Sequence, residues 1–267
     1  MKCSYASACP LLNLDACFRY PEYIDFSKKR GQGCLFAHVF KVLEIWGKLR
    51  IRYITQLKRI LKKCLKLVLT ESEVDELVKI MLILHDYGKA AKEYLNVSRG
   101  IRYLHEILSS VIIFDLLSNF NDTIAALLAS TVLLHHEHRV YKILRYTGYR
   151  KLNDVVIREI LRGISTINVE EKANQSFKVI LRKNVKRINI DTSKFLTTYT
   201  RSELECVMNQ IAEKVISRPM SSWIVVGALN HILIITDIRA AHSLRRDIKE
   251  EISRYFRVVL YGGRSYI

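Results

Sequence analysis

The stretch LILHDYGKAAKEY, residues 83–95, ends an apolar run with an imidazole next to a carboxylate, His85 and Asp86, and brings Gly88 and Lys89 close behind. Such a pair can be a polar helix end or two ligands of one metal ion. Which of these it is depends on what the rest of the chain supplies. Eight histidines are present, at 38, 85, 105, 135, 136, 138, 231 and 242. His38 falls near the start of the first apolar-periodic segment, and His105 lies in RYLHEILSS. His135 and His136 end AALLASTVLLHH, and Asp237 sits inside LIITDIRAA. Taken singly, a His at the border of an apolar face is commonly a core residue satisfied by hydrogen bonds. Asp237 resists that explanation, because an ionised carboxylate on an apolar stripe is costly unless paired or bound to a cation. His135-His136 would likewise need a partner for every ring nitrogen. Taken together, H…HD…H…HH…D on successive helices is the order that converges imidazoles and carboxylates on a dinuclear centre.

The elements that would position these groups are helical. With 267 residues, 49% hydrophobic, and only 3 Pro and 10 Gly, the chain can bury a sizeable core and is neither disordered nor collagenous. A helical pattern runs from Leu35 to Leu69. Thr70-Glu71-Ser72-Glu73 reads as a capping box. The helix it opens carries Val74, Leu77, Val78, Met81 and Leu82 on one face, and His85 continues that stripe. Gly88 is its natural stop. Further helices are expected at 101–119, 122–137, 153–164, 201–217 and 221–247. Segment 165–200 mixes polar residues with the β-prone runs 177–180 and 187–190, and reads as a small irregular or β-hairpin insertion. Residues 1–34, punctuated by Pro10, Pro21, Gly31 and Gly33, read as an irregular N-terminal segment. The fold class is therefore mainly α, a helical bundle over 35–247 followed by a basic tail, 248–267. The longest apolar run, Trp223 to Ile235, is broken by Asn230 and His231 and is short for a bilayer. Met1-Lys2 leads into no signal-peptide core, so a cytoplasmic location without membrane association is expected.

Charge is the strongest compositional signal. Forty-three Lys and Arg against 26 Asp and Glu give +17. An excess of that size favours polyanionic partners, nucleic acids foremost. Lys58, Arg59, Lys62 and Lys63, with Arg182, Lys183, Lys186 and Arg187, are the expected phosphate contacts, and Lys178 and the basic residues earlier in the first helix add to them. The six cysteines include no CxxC pair, which leaves them as ordinary thiols rather than zinc or iron–sulfur ligands. The few glutamines fit a heat-adapted protein.

The order of the ligands resembles the HD phosphohydrolase superfamily, whose minimal motif H…HD…D is matched by His38, His85-Asp86 and Asp237. With His105, His135-His136, "HDYGKA" and "LHEILSS", the chain is most similar to one branch. That branch is the stand-alone HD nuclease of type I CRISPR systems, the separately encoded nuclease half of the CRISPR helicase–nuclease. The resemblance spans residues 38 to 243. "HDYGK" and "HHE" also occur in HD-GYP cyclic-dinucleotide phosphodiesterases, where Asp-Gly-x-Gly-Tyr-Pro follows; here the chain continues HRVYKILRY.

The resemblance implies an HD-domain helical bundle in which His38, His85, Asp86 and Asp237 bind one ion. His105, His135 and His136 would bind a second, with Asp86 bridging. It implies divalent transition metals, and imidazole-rich ligation suits Mn²⁺, Ni²⁺, Co²⁺ or Fe²⁺ better than Mg²⁺. Two such ions activate a water and stabilise the leaving oxygen of a phosphodiester. Asp86 and Lys89 are the expected catalytic residues. Lys89 either contacts the phosphate or merely complements a helix dipole. Tyr87, Tyr94 and Tyr103 are candidates to stack on unpaired bases, or plain packing residues. Single-stranded DNA is the implied substrate, with RNA as a second candidate. A separate helicase and an RNA-guided surveillance complex are the implied partners. The competing expectations are a phosphohydrolase of small or cyclic nucleotides and a non-catalytic nucleic-acid-binding assembly subunit.

Overall fold

Seven helices dominate the computed structural model, which describes residues 19–22, 31–95, 105–135, 165–216 and 220–244. A short antiparallel pair, β1 (Arg19–Glu22) and β2 (Gly31–Cys34), lies within the segment expected to be irregular and feeds directly into helix α1, Leu35–Leu65. One face of α1 buries Leu35, Phe36, Val39, Val42, Trp46, Leu49, Leu57 and Leu61 at helical spacing. The helix stops at Lys66, whose φ of 59° is left-handed. Its N–H closes the last turn on the Lys62 carbonyl at 3.1 Å, the geometry that usually recruits glycine.

Helix α2, Glu71–Leu84, starts with both halves of the expected capping box. Glu73 N donates to Thr70 Oγ1 at 3.2 Å, and Thr70 N donates to Glu73 Oε2 at 2.7 Å. α1 and α2 form an antiparallel hairpin. Thr55 reaches Glu71 at 3.0 Å, and one level on Trp46 Nε1 donates to Asp75 Oδ1 at 2.9 Å. A 3-10 turn, Tyr87–Ala90, and a short α3, Lys92–Leu95, follow.

Helix α4, His105–Leu133, is broken at Asn121, whose φ of −166° and ψ of 111° are extended. The Asn121 side chain accepts from Ile124 N at 3.0 Å and so caps the second arm as an N-cap residue does. The break divides α4 where the sequence pattern separates 101–119 from 122–137. His105, at the start of the first arm, and His135, just past the second, stand 5.7 Å apart by ring centroids. The arms therefore run antiparallel and return to one place.

The 165–200 segment corrects one expectation. Its β content is the antiparallel pair β3 (Thr166–Asn168) and β4 (Thr198–Thr200), with Thr166 opposite Thr200, and a single bridge from Val169 to Ala91, and the run 187–190 is not strand. Between the two strands the run Phe177-Lys178-Val179-Ile180 is not strand but part of helix α5, Glu171–Asn184. Ala173, Phe177, Ile180 and Leu181 recur at i, i+4, i+7 and i+8 and are buried together, so helical periodicity outweighs the β-propensity of Phe, Val and Ile. The segment is tied both to the body of α2 and to the turn that follows it. Glu170 N donates to the Ala90 carbonyl at 3.1 Å, and the Glu76 carboxylate accepts from Arg187 N and Ile188 N at 2.8 and 3.0 Å.

Helices α6 (Arg201–Ile216) and α7 (Met220–Leu244) complete the bundle, α6 against α4 and α7 against α1. By length and composition alone, α4 and residues 221–241 of α7 could each cross a membrane; the latter includes the run judged short from sequence. In the fold, 61% and 44% of their apolar windows are buried, and both carry ionisable groups into an interior cluster. The expected helix at 153–164 and the basic tail lie outside the described residues.

Candidate metal centre

The α2 hairpin delivers His85 as the residue closing the helix, and the chain turns at Asp86, with φ −107° and ψ 11°, into the 3-10 turn. Gly88 lets that turn dock against the start of α4. A Cβ there would lie 2.1 Å from the His105 carbonyl oxygen, and Gly88 N donates to Ser109 Oγ at 2.9 Å. Glycine is required by close approach at this point. His38 enters from the first turn of α1, His105 and His135 from the two arms of α4, and Asp237 from α7. All but Asp237 are buried; its side chain is 25% exposed and marks the side open to solvent.

Two groups form around one carboxylate. His38, His85, Asp86 and Asp237 present ligand atoms within 4.8 Å of one another, and so do Asp86, His105 and His135. Asp86 divides its oxygens between them. Oδ2 lies 3.6 Å from His38 Nε2 and 3.4 Å from His85 Nε2, and Oδ1 lies 3.2 Å from His105 Nε2. Asp237 Oδ1 is 2.9 Å from His38 Nε2 and 3.7 Å from His85 Nε2.

The residues fit a metal by three criteria. First, donors around an ion at about 2.1 Å stand roughly 3.0 to 3.4 Å apart in octahedral or tetrahedral arrangement, and the separations here, 2.9 to 3.7 Å, are centred on that range. Second, the ring protons are already placed. His85 Nδ1 donates to the Leu82 carbonyl at 2.8 Å and His135 Nδ1 to the Val132 carbonyl at 2.5 Å. Each turns its Nε2 into the cluster, the usual outer arrangement of a metal-bound imidazole. Third, His38 Nε2, His85 Nε2 and Asp86 Oδ1 are buried without an aligned hydrogen bond, a costly condition that coordination relieves.

The electrostatics agree. Burial would push the Asp86 carboxyl up, but Lys89, His85 and His105 outweigh it and hold the group well below the usual carboxylate range. Asp237 is held down in the same way, His38 and His85 prevailing over desolvation. Burial pushes His135 down to about 4, so its ring is neutral. Lys89 Nζ sits 2.7 Å from Asp86 Oδ2; it is engaged with the cluster rather than idling at a helix end.

Of the seven expected ligands, six are brought together, and the seventh, His136, lies outside the described residues, as do His138 and Tyr103. Tyr87 is fully buried with its hydroxyl on Asn174, and Tyr94 packs edge-on against His105 at 5.6 Å. Both are packing residues, closed to base stacking. His231 pairs with Tyr53, 3.4 Å from its hydroxyl, away from the cluster.

Sequence reasoning missed Glu106. It is buried beside His105, with Oε2 3.4 Å from His105 Nδ1. Its adjacency to a His in "HEIL" was the only available signal. Lys62 and Arg187 stand away from the cluster. Lys62 lies 24 residues beyond His38 on the same helix, about 36 Å along its axis. Arg187 meets α2 near its start, at Glu76, while His85 is at its end.

No protein-family model matches the chain. It is 32% identical over 135 residues to a protein named CRISPR-associated endonuclease Cas3-HD from Methanocaldococcus jannaschii, covering 48% of this chain and 55% of that protein. It is 29% identical over 158 residues to a protein of the same name from Pyrococcus furiosus, covering 57% of this chain and 65% of that one. The chain thus spans less than two thirds of the length of either relative. Among solved structures, the CRISPR-associated Cas3 HD domain protein from Methanocaldococcus jannaschii aligns with a TM-score of 0.57 at 24% identity, covering 75% of this chain and 94% of that one. That likeness establishes the helical HD-domain fold, and the named relatives are those to which the sequence resemblance points.

Proposed function

We propose that the protein is a metal-dependent nuclease that hydrolyses phosphodiester bonds of single-stranded DNA in CRISPR interference. The observation that carries this reading is the sharing of Asp86, one oxygen toward each of two buried ligand groups. The names of the relatives support the substrate class.

In this reading His38, His85, Asp86 and Asp237 would hold one divalent ion, and Asp86, His105, His135 and His136 would hold a second. The ions, when bound, supply Lewis acidity for activating a water and neutralising a leaving oxygen. Imidazole-rich ligation favours Mn²⁺, Ni²⁺, Co²⁺ or Fe²⁺ over Mg²⁺. The chain contributes the geometry. Leu82 and Val132 carbonyls fix the ring orientations, the buried walls exclude bulk water, and Asp237 stands at the open side where substrate enters. Lys89 steadies the charge on Asp86 and offers a cation to a phosphate held over the cluster. A separate helicase would present the strand, in the cytoplasm, under an RNA-guided surveillance complex.

The test is cleavage of labelled single-stranded DNA, single-stranded RNA, duplex DNA and cyclic nucleotides with Mn²⁺, Ni²⁺, Co²⁺ or Mg²⁺, beside Asp86→Ala. Metal-dependent cutting of the single strand, abolished in the variant, is the expected result. Hydrolysis of cyclic nucleotides alone would replace this reading with that of a small-nucleotide phosphohydrolase. Strand binding without cleavage under any metal would replace it with that of an assembly subunit.

A further inference from the structure

Helix α1 is 31 residues long and carries eight Lys and Arg, at 41, 48, 50, 52, 58, 59, 62 and 63, against the single acid Glu44. Arg50 turns aside to Asp75, at 3.4 Å, and Lys58 is only half-exposed. At about 100° per residue, the other six fall within one sector of about 100°, opposite the buried face of Phe36, Val39, Trp46 and Leu57. Lys48, Arg52, Arg59, Lys62 and Lys63 are exposed there. The row begins at Lys41, one turn from His38, and runs about 33 Å to Lys63. Its only carboxylate, Glu44, is neutralised by Lys41 at 2.9 Å and Lys48 at 2.8 Å. A face kept only for solubility would mix signs along its length; this one does not.

We propose that the outer face of α1 is a track for a phosphodiester backbone, leading a single strand between the metal centre and the far end of the bundle. The inference deepens the nuclease reading and rests on it for the direction of the strand. A track differs from a guiding patch at the active-site mouth in what it requires of the ligand. At about 3.4 Å per stacked nucleotide, 33 Å corresponds to roughly ten nucleotides, so affinity rises with strand length up to that size and then levels. Five exposed cations contacting phosphates predict a slope of log affinity on log salt of about −3.5, at roughly −0.7 per contact for a single strand. Selectivity for base is absent, because the contacts are to the backbone.

The experiment is fluorescence anisotropy of labelled oligothymidylates of about 4, 8, 12 and 20 nucleotides, the lengths chosen to bracket the roughly ten expected. It is done on the full chain with EDTA present, over a range of NaCl. The triple variant Lys48→Gln/Arg52→Gln/Arg59→Gln is compared with Lys172→Gln/Lys194→Gln, which removes exposed charge from α5 and the segment after it instead. The first should flatten the salt slope by about 2 and lose more than tenfold in affinity for the longer strands, erasing the gain with length. The second should leave the length dependence intact. Circular dichroism and thermal unfolding confirm that both variants are folded. If the α1 triple variant keeps the wild-type slope and length dependence, or if the wild type shows no gain from about 4 to 12 nucleotides, the track is overturned. Because no cleavage is involved, failure of the track leaves the nuclease reading standing. Equally, a wild type that binds with this signature but cuts nothing removes the nuclease reading and not the track.

Discussion

His85 and His135 each commit Nδ1 to a carbonyl three residues earlier, so each turns its Nε2 into the cluster before any ion arrives. His105 has a different anchor, the buried Glu106 carboxylate 3.4 Å from its Nδ1. A carboxylate in that place sets the tautomer and the orientation of the ring. Glu106→Gln keeps the volume and removes the charge. It should weaken ion binding at the Asp86–His105–His135 group by about 10-fold to 100-fold, leaving the group around Asp237 occupied. The visible spectrum of Co²⁺ titrated into the protein reads this out as a loss of the second step. Two unaltered Co²⁺ steps would show that Glu106 does not act on His105.

At the level of elements, the centre depends on one contact between the 3-10 turn and the start of α4. Gly88→Ala would force a methyl to within 2.1 Å of the His105 carbonyl. The clash is with backbone, so little can yield, and a cost of roughly 3 kcal/mol is expected. Thermal unfolding should show it as a fall of about 6–12 °C; a change of under a degree would mean the turn is free to shift. The glycine was read from sequence as a helix stop, and only the fold reveals the neighbour it makes room for. Much else was legible. Capping at Thr70 and the stripe through Val74, Leu77, Val78, Met81 and Leu82 place His85 at a helix end, because those signals are local. The separation of 101–119 from 122–137 was equally local, since Asn121 is a capping residue. The run 177–180 was misread because Phe, Val and Ile favour strands in isolation, whereas its burial against α2 and Tyr87 is long-range. Glu106 escaped notice because a Glu in the first turn of a helix ordinarily faces water and serves the dipole.

Across the whole molecule, four helices remote in sequence meet at one end, and positive charge lies along the outside of α1 toward the other. The order of the ligands could be read from types alone, since buried imidazoles and carboxylates have few other uses in such numbers. The distance of Lys58, Arg59, Lys62 and Lys63 from the cluster could not, because it depends on α1 being a single helix of 31 residues. Ions bound at the junction would tie α1, α2, α4 and α7 together and stabilise the native state by mass action, by about 2.7 kcal/mol when free metal is 100 times its dissociation constant. The measurement that bears most directly on this account is therefore the number of Mn²⁺ or Co²⁺ ions bound per chain, by calorimetric titration of protein stripped with chelator, beside Asp86→Asn. Two ions per wild-type chain, with both affinities impaired by the loss of the shared carboxylate, is the predicted result. A wild type that binds no ion at micromolar concentrations, or a variant that binds both ions as tightly as the wild type, would contradict it.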